Sequence, residues 1–286
     1  MNELFAIDPD SPQDGKDVMA MLERFGMSKG RFIALYPDDW VSLLSKHALY
    51  LQGLERSRFI RLLDVHRDAF LSAGEHYSRA KPWIENALAM KQSRANVTKV
   101  LGKDPNKFKV DTLQRFLWDS DEDTEASRGA HIPMMARDYR IAARPLFQQS
   151  TEVHLADPFF SLRRSPAERD QRRCAVLTEL FSEANQSSRC EEFVLHFKRD
   201  KLKAEEKQEK ELIEDIGFVS GRSGANRLRV RFDLHDEMTH GRYIFSIKGG
   251  LQFDHGFDQD VRKTNHVHWL SAAELAPIHR MYGLDG

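Results

Sequence analysis

The sequence predicts an α+β protein, with an all-helical domain at residues 1–118 and an α/β domain with a mixed sheet at residues 131–286. Three observations lead to this prediction. Apolar residues recur at helical spacing from about residue 14 to residue 101, and an acidic polar run interrupts the chain near residue 120. After residue 130, segments with strand character alternate with segments of helical character. A chain of 286 residues is long enough for two cores.

The N-terminal half shows the three- and four-residue spacing of amphipathic helices. Its clearest apolar stripes consist of Val18, Met21, Leu22 and Phe25, and then of Val41, Leu44, Ala48, Leu51 and Leu54. Pro37 and the two acidic residues that follow it are typical of the start of a helix. A further helix is predicted from Pro82 to about Leu101. We therefore expect only helices in residues 1–118.

Residues 119–130 form the predicted boundary between the domains. The run from Asp119 to Gly129 is acidic, rich in small residues and poor in apolar ones, which is the composition of a linker. It lacks the central glycine and the final glutamate of a calcium-binding loop. We interpret its carboxylates as solvated.

The C-terminal half alternates between the two patterns. In chain order we predict a strand at 150–160 that ends at Asp157 and Pro158, a helix from Glu168 to Asn185, a strand at 190–197, a Lys/Glu-rich helix to about Ile216, a strand at 227–233 and a hairpin at 240–258. Strands that alternate with helices predict a sheet covered by helices, with functional groups gathered at the strand ends.

The hairpin carries the residues of greatest chemical interest. We expect its turn at Gly249 and Gly250. Strict alternation would place one set of side chains on an exposed face, namely His240, Arg242, Ser246 and Lys248, and would turn Tyr243, Phe245 and Ile247 toward the core. A histidine beside a fixed cation suits phosphodiester chemistry. His240 is therefore the candidate catalytic residue, and Arg242 and Lys248 are the candidate phosphate ligands.

The strand before the hairpin alternates basic with apolar residues. Arg227, Arg229 and Arg231 would share one exposed face and form a track for a phosphate backbone, which predicts DNA or RNA as a partner. The alternative is an edge strand protected by its charges. Since the net charge of the chain is −1, any binding of a polyanion depends on such a local patch.

We predict no cofactor and no metal ion. His266 and His268, with Asp254 and His255 close in sequence, could bind zinc, but two-residue spacing arises easily by chance among 12 histidines. Two cysteines, Cys174 and Cys190, do not make a disulfide framework. The sequence shows neither a signal-peptide pattern nor an apolar run of about 18 residues, so we expect a cytoplasmic protein without a transmembrane segment.

From about residue 140 to residue 286, the chain resembles the phospholipase D-like superfamily. The motif of that family is His-x-Lys followed by Asp, in which the histidine attacks phosphorus and the lysine holds the phosphate oxygens. His240 matches the nucleophile and Arg242 stands at the lysine position, whereas Ile247 occupies the aspartate position. The Gly-Ser-x-Asn segment of the family has no equivalent between Gly249 and Gly256. The order of strands and helices is similar to the domain attached to microtubule-interacting-and-trafficking modules and to bacterial proteins of defence-gene clusters.

This resemblance implies a nucleic-acid-associated component of a larger prokaryotic assembly, with antiviral defence as one setting and other protein subunits as partners. Its phosphodiesterase-type site would be degenerate. If it is active, the resemblance implies a metal-independent phosphodiesterase or nuclease. Two alternatives stay open: an interaction or membrane-recruitment module without catalysis, and a single-motif nuclease that acts as a homodimer and completes its site with a second copy of His240.

Overall fold

The computed structural model describes residues 2–46, 53–93, 97–103, 108–119, 129–163, 167–204 and 208–284. The chain divides into two compact units, unit 1 at residues 1–127 and unit 2 at residues 128–286. Most of the predicted acidic linker, residues 120–128, lies outside the described residues. In the part of the chain that is described, no helix is both long and apolar enough to cross a lipid bilayer.

Unit 1 is built on a four-stranded parallel sheet. Its strands are β1 (Glu3–Ile7), β2 (Arg31–Leu35), β3 (Phe70–Ser72) and β4 (Val97–Leu101), in the order β3-β2-β1-β4. Its helices are α1 (Gly15–Glu23), α2 (Trp40–Ser45), α3 (Leu54–Val65) and α4 (Trp83–Ser93). Short 3₁₀ turns cover Met27–Lys29 and Arg67–Ala69, and a π-helical turn covers Arg115–Asp119.

The prediction of an all-helical N-terminal domain is therefore wrong. Leu4 to Ile7 in β1 and Phe32 to Ala34 in β2 are buried without alternation, because parallel strands are covered on both faces. A short continuous apolar run has no periodicity that distinguishes a strand from a helix. The predicted helix from Pro82 to Leu101 contains both α4 and β4, whereas α2 begins after Pro37 as predicted.

Unit 2 is built on a seven-stranded mixed sheet, which confirms the predicted mixed sheet and α+β class. Its strands are β5 (Gly129–Met134), β6 (Glu152–Ala156), β7 (Glu192–Lys198), β8 (Arg229–His235), β9 (Arg242–Ser246), β10 (Gly249–Phe253) and β11 (Asp260–Trp269). Their order is β5-β11-β10-β9-β6-β7-β8. Strands β6, β7 and β8 run parallel, and the remaining pairs are antiparallel.

Helices cover both faces of this sheet. They are α5 (Ala136–Gln149), α6 (Glu168–Gln186), α7 (Arg199–Ala204), α8 (Glu209–Ser223) and α9 (Ala272–Tyr282). On one face α6 packs against α5 and α8, and rings of α5 and α6 meet Phe193 of β7. On the other face α9 packs on Tyr243 and Phe245 of β9. The order of elements from β6 to the hairpin is the predicted one.

Candidate functional site

The carboxyl end of β6 is the point where the sheet changes from parallel to antiparallel pairing. β6 pairs with β7 in parallel and with β9 in antiparallel orientation, so the end of β6 lies beside the start of β9. Open α/β sheets bind ligands at such a point, since the loops on either side diverge and leave a crevice. Asp157 directly follows β6, and His240 lies two residues before Arg242, the first residue of β9.

Asp157 and Arg242 form an ion pair across these two strands. The distance from Arg242 Nε to Asp157 Oδ1 is 3.7 Å, and Arg242 Nη1 donates a hydrogen bond to the carbonyl of Asp254 at 2.9 Å. Burial raises the pKa of Asp157, although the Phe159 amide, at 2.9 Å from Oδ1, and the Arg242 charge oppose this shift. Within the described residues, Nη2 of Arg242 has no hydrogen-bond partner, so the guanidinium retains donors for a ligand.

The ring of Phe159 connects the two residues that the sequence singles out. The Arg242 guanidinium lies 5.0 Å from its centroid, and the imidazole of His240 stacks on it at 6.1 Å. His240 is exposed and, among the residues described, has no hydrogen-bond partner. Gly241 between them is required by close approach, because a Cβ at this position would lie 1.9 Å from Tyr243 Oη. The site therefore has an anchored cation and a histidine held only by ring stacking.

The loop after β10 forms the second wall of the site. Buried Asn265 accepts a hydrogen bond from the His255 amide at 2.9 Å and donates to the His255 carbonyl at 3.0 Å and to Tyr139 Oη at 3.1 Å. Tyr139 in turn donates to the carbonyl of Gly256 at 3.1 Å. A Cβ on Gly256 would lie 3.2 Å from Asp157 Oδ2, so the glycine lets the loop approach the carboxylate. This network fixes the carbonyl that orients Arg242.

The predicted exposed face of the hairpin is wrong at Ser246 and Ile247, whereas Tyr243 and Phe245 are buried as predicted. Ser246 is fully buried and accepts a hydrogen bond from the Ser150 hydroxyl at 2.8 Å, whereas Ile247 is 62% exposed. Alternation fails here because helices cover both faces of the sheet. The turn is formed by Ile247 and Lys248, and both predicted turn glycines lie in β10. Lys248 therefore lies at the opposite end of β9 from Arg242, about 20 Å along the strand.

The three arginines of the predicted nucleic-acid track are engaged within unit 2. Arg227 donates to the carbonyls of Asn185, Ser187 and Ser188 at the end of α6. Arg229 pairs with Glu192. Arg231 binds three carboxylates: Glu192 at 2.5 Å, Asp233 at 2.7 Å and Glu152 at 3.1 Å. Since β8 is an edge strand, this arrangement matches the alternative that was left open for it.

Three imidazoles form a hydrogen-bonded row across the parallel strands. His154 Nδ1 lies 2.9 Å from His196 Nε2, and His196 Nδ1 lies 2.8 Å from His235 Nε2. Burial lowers the pKa of His154 to about 4 and that of His196 to about 2, and it also lowers the pKa of His235. Tyr282 of α9 packs on His196 and on His235 at ring distances of 4.5 and 5.2 Å. We call these three residues the histidine row.

The second group of histidines lies on the strands at the other side of the sheet. His266 and His131 are opposite each other on β11 and β5, with ring centroids 5.0 Å apart. His268 stacks on His266 at 5.8 Å, and His266 Nδ1 lies 3.6 Å from Asp254 Oδ2. Among the described residues, the group whose ligand atoms all lie close enough for one metal ion is instead His196, Asp233 and His235.

Sequence reasoning missed Asp157, Phe159 and the histidine row as site residues. Asp157 has a recognisable signal, since it directly follows an apolar strand. The row has a weaker one, because each of its histidines lies between or beside apolar residues of a strand, as in Leu195-His196-Phe197. What the sequence does not contain is the pairing of the strands that brings these side chains together.

No protein-family model matches this chain, and no curated protein matches it. Among solved structures, one match is described as "Structure of TrmBL2, an archaeal chromatin protein, shows a novel mode of DNA binding". It aligns with 93% of this chain and 95% of that chain, at 9% identity and a TM-score of 0.27. A TM-score this low does not establish a shared fold.

Proposed function

We propose that unit 2 binds the phosphodiester backbone of a nucleic acid at the carboxyl end of β6, and that it does so without turnover. The observation that carries this proposal is the state of Arg242: Asp157 and the Asp254 carbonyl hold it in place, and among the described residues its Nη2 has no hydrogen-bond partner. A preorganised guanidinium is well suited to phosphate, because its planar donors match two phosphate oxygens.

Binding is favoured over cleavage because, within the described residues, no hydrogen bond or ion pair orients the imidazole of His240. A histidine that acts as nucleophile or general acid needs a partner that fixes its tautomer and direction. The only described contact of His240 is the stacking on Phe159. The buried carboxylate of the site belongs to Asp157, which is paired with Arg242 instead. These features support a degenerate site of the phospholipase D-like kind.

Phe159 gives the site a further property that suits nucleic acid. Its ring is 45% exposed and lies against both His240 and Arg242. An exposed ring beside a cation can stack on an unpaired base while the guanidinium binds the adjacent phosphate. We therefore propose single-stranded nucleic acid as the ligand. Membership of a larger prokaryotic assembly, an antiviral role and homodimerisation stay predictions from the sequence.

The proposal is tested by fluorescence anisotropy with labelled single-stranded DNA and RNA. The wild type is expected to bind, and Arg242→Gln to weaken binding about tenfold, as expected for the loss of one charged hydrogen bond. Lys248→Gln is the matched control, since it removes the same charge at the far end of β9 and should leave binding unchanged. Arg242→Gln alone leaves the buried Asp157 carboxylate without its ion-pair partner, and the double variant Asp157→Asn/Arg242→Gln removes that carboxylate too. A loss of binding in both variants is therefore not due to an unpaired buried charge.

The two alternatives give different results in the same set of variants. A nuclease would cleave the oligonucleotide in EDTA and lose this activity in His240→Ala. A membrane-recruitment module would bind vesicles that contain anionic lipid, and His240→Ala would retain that binding. Equal affinity of wild type and Arg242→Gln for both oligonucleotides would overturn the proposal.

A further inference from the structure

We propose that His196, Asp233 and His235 form a binding site for a divalent transition-metal ion of the zinc class, with a fourth position open to solvent. The site is separate from the Arg242 site, and the proposal does not depend on nucleic-acid binding. It rests on the register of two strands, on the distances between ligand atoms and on the hydrogen bonds behind the ligands.

The register of β7 and β8 places the three ligands together. Asp233 and His235 are two residues apart on β8, so their side chains lie on the same face. His196 on β7 is the direct neighbour of Asp233 in the parallel pairing. The backbone of a sheet therefore sets the spacing, and no loop has to order for the ligands to meet.

The two distances from His196 to the other ligand atoms are close to those of a tetrahedral metal site, and all three ligand atoms lie within 4.8 Å of one another. His196 Nδ1 lies 2.8 Å from His235 Nε2 and 3.9 Å from Asp233 Oδ2. Metal–ligand distances of about 2.0–2.2 Å place adjacent tetrahedral ligands roughly 3.3 Å apart. The His196–His235 distance must therefore lengthen, and the His196–Asp233 distance must shorten, by about half an ångström each. Rotation of the two side chains on β8 can supply these changes.

Hydrogen bonding to His154 sets the tautomer of His196 so that its Nδ1 is free to bind a metal ion. His154 Nε2 lies 3.0 Å from Glu152 Oε1, off the line of a hydrogen bond but close enough to favour a proton on that nitrogen. His154 Nδ1 then accepts from His196 Nε2, which leaves the lone pair of His196 Nδ1 directed at His235 and Asp233. A ligating histidine that donates its other N–H to a second group is the usual outer shell of a metal site.

Charge and access also suit a cation. The surrounding carboxylates are those of Glu152, Glu192, Asp233 and Asp236, against the three guanidinium groups of Arg199, Arg229 and Arg231. Arg231 Nη1 donates to Asp233 Oδ2 at 2.7 Å, and this oxygen has a second lone pair for the metal. His196 is buried, whereas the side chain of Asp233 is 40% exposed, so the fourth position faces solvent. Three protein ligands with an open position are typical of exchangeable or catalytic metal sites.

The test is isothermal titration of the full chain, stripped with EDTA, with zinc chloride. We expect saturable binding of one zinc ion per chain. His235→Ala should weaken it by more than about 100-fold, which exceeds the usual effect of an outer-shell partner, and His154→Phe should weaken it by about 10- to 100-fold. Cobalt(II) should give the intense visible absorption of a four-coordinate ion in the wild type and lose it in His235→Ala.

The matched control is His266→Ala, which removes a histidine of the second group on β11. It should leave zinc affinity unchanged. Circular dichroism of each variant without metal checks the fold, and zinc should raise the melting temperature of the wild type and of His266→Ala but not of His235→Ala. Three outcomes would each overturn the proposal: no saturable binding by the wild type, unchanged affinity in His235→Ala, or loss of binding in His266→Ala.

Discussion

Two strands of unit 2 carry arginines whose charges have different roles. The first group is the three arginines on and just before β8, and the second consists of Arg242 alone, at the start of β9. Along β8, Arg229 and Arg231 are bound to Glu192, Glu152 and Asp233, and Arg227 is bound to carbonyls at the end of α6. At the start of β9, Arg242 has one carboxylate and one carbonyl as its partners within the described part of the chain, so its Nη2 is available to a ligand. The first group holds the sheet edge together, and the second can bind a ligand.

This difference shows that a row of arginines on a strand is not by itself a phosphate track. Two of the three carboxylates, Glu152 and Glu192, come from β6 and β7, which lie far from β8 in sequence, and the third, Asp233, lies on β8 itself. The pKa of Glu192 shows how strongly the β8 arginines interact with these carboxylates. Burial raises the pKa of Glu192, but hydrogen bonds from Arg229 and Arg231 more than offset this effect, so the pKa is lowered. The following variants separate the two groups, from the largest expected effect to the smallest.

Acidification is expected to have the largest effect, through the histidine row beside the β8 arginines. Burial lowers the pKa of His154 to about 4 and of His196 to about 2, below the ordinary value near 6.5. As pH falls below about 6.5, the unfolded chain therefore binds protons that the folded chain does not, and stability decreases. At pH 5, His154 and His196 each lower the free energy of unfolding by about 2 kcal/mol. Asp157, whose pKa is raised, acts in the opposite direction.

Hydrogen exchange of the β7 amides measures this loss, since it reports unfolding of unit 2 alone. His154→Phe should halve the difference between the free energies of unfolding at pH 7 and at pH 5. An equal difference in the wild type and the variant would show that the histidines are not the cause.

Asn265→Ala is expected to be next in size and to affect the Arg242 site. It leaves the His255 amide and carbonyl and the Tyr139 hydroxyl without their shared partner, at a cost of about 2–3 kcal/mol. The loop that holds the Asp254 carbonyl should loosen, so nucleic-acid affinity should fall as well. Exchange rates of the amides at 254–258, together with an anisotropy titration, test both effects; a destabilised variant with full affinity would argue against the role of the loop.

Arg231→Gln is expected to reduce the stability of unit 2 by about 1.5 kcal/mol, the low end for charged hydrogen bonds because the side chain is partly exposed. Nucleic-acid affinity should stay the same, since each of the three guanidinium nitrogens already binds a carboxylate. Hydrogen exchange of β8 and an anisotropy titration are the two measurements. Weaker binding without a loss of stability would reverse the roles assigned to the two groups.

The sequence predicts much of unit 2 because its elements are long or strongly patterned. The predicted helix from Glu168 to Asn185 matches α6, and the predicted strand at 190–197 overlaps β7. Unit 1 could not be predicted in the same way. Its strands are runs of three to five residues, and β1 and β2 are buried on both faces, so they lack the alternation that identifies a strand.

The candidate site shows a similar limit. His240 and Arg242 are found from sequence because they are neighbours in the chain. The carboxylate that anchors Arg242 comes from the end of β6, 85 residues earlier, and two of the three carboxylates that bind Arg231 come from β6 and β7. Only the order and register of strands reveal these contacts. The parity rule failed at Ser246 for a related reason, since it assumes that one face of the sheet is exposed.

The comparison between the two groups is tested most directly by the salt dependence of nucleic-acid binding in Arg242→Gln and Arg229→Gln. Each variant removes one formal charge from an arginine of unit 2. For a single strand, the slope of log affinity against log salt concentration should become shallower by about 0.7 in Arg242→Gln, the contribution of one phosphate contact, and should be unchanged in Arg229→Gln. An unchanged slope in Arg242→Gln, or an equal change in Arg229→Gln, would contradict the assignment of phosphate binding to Arg242.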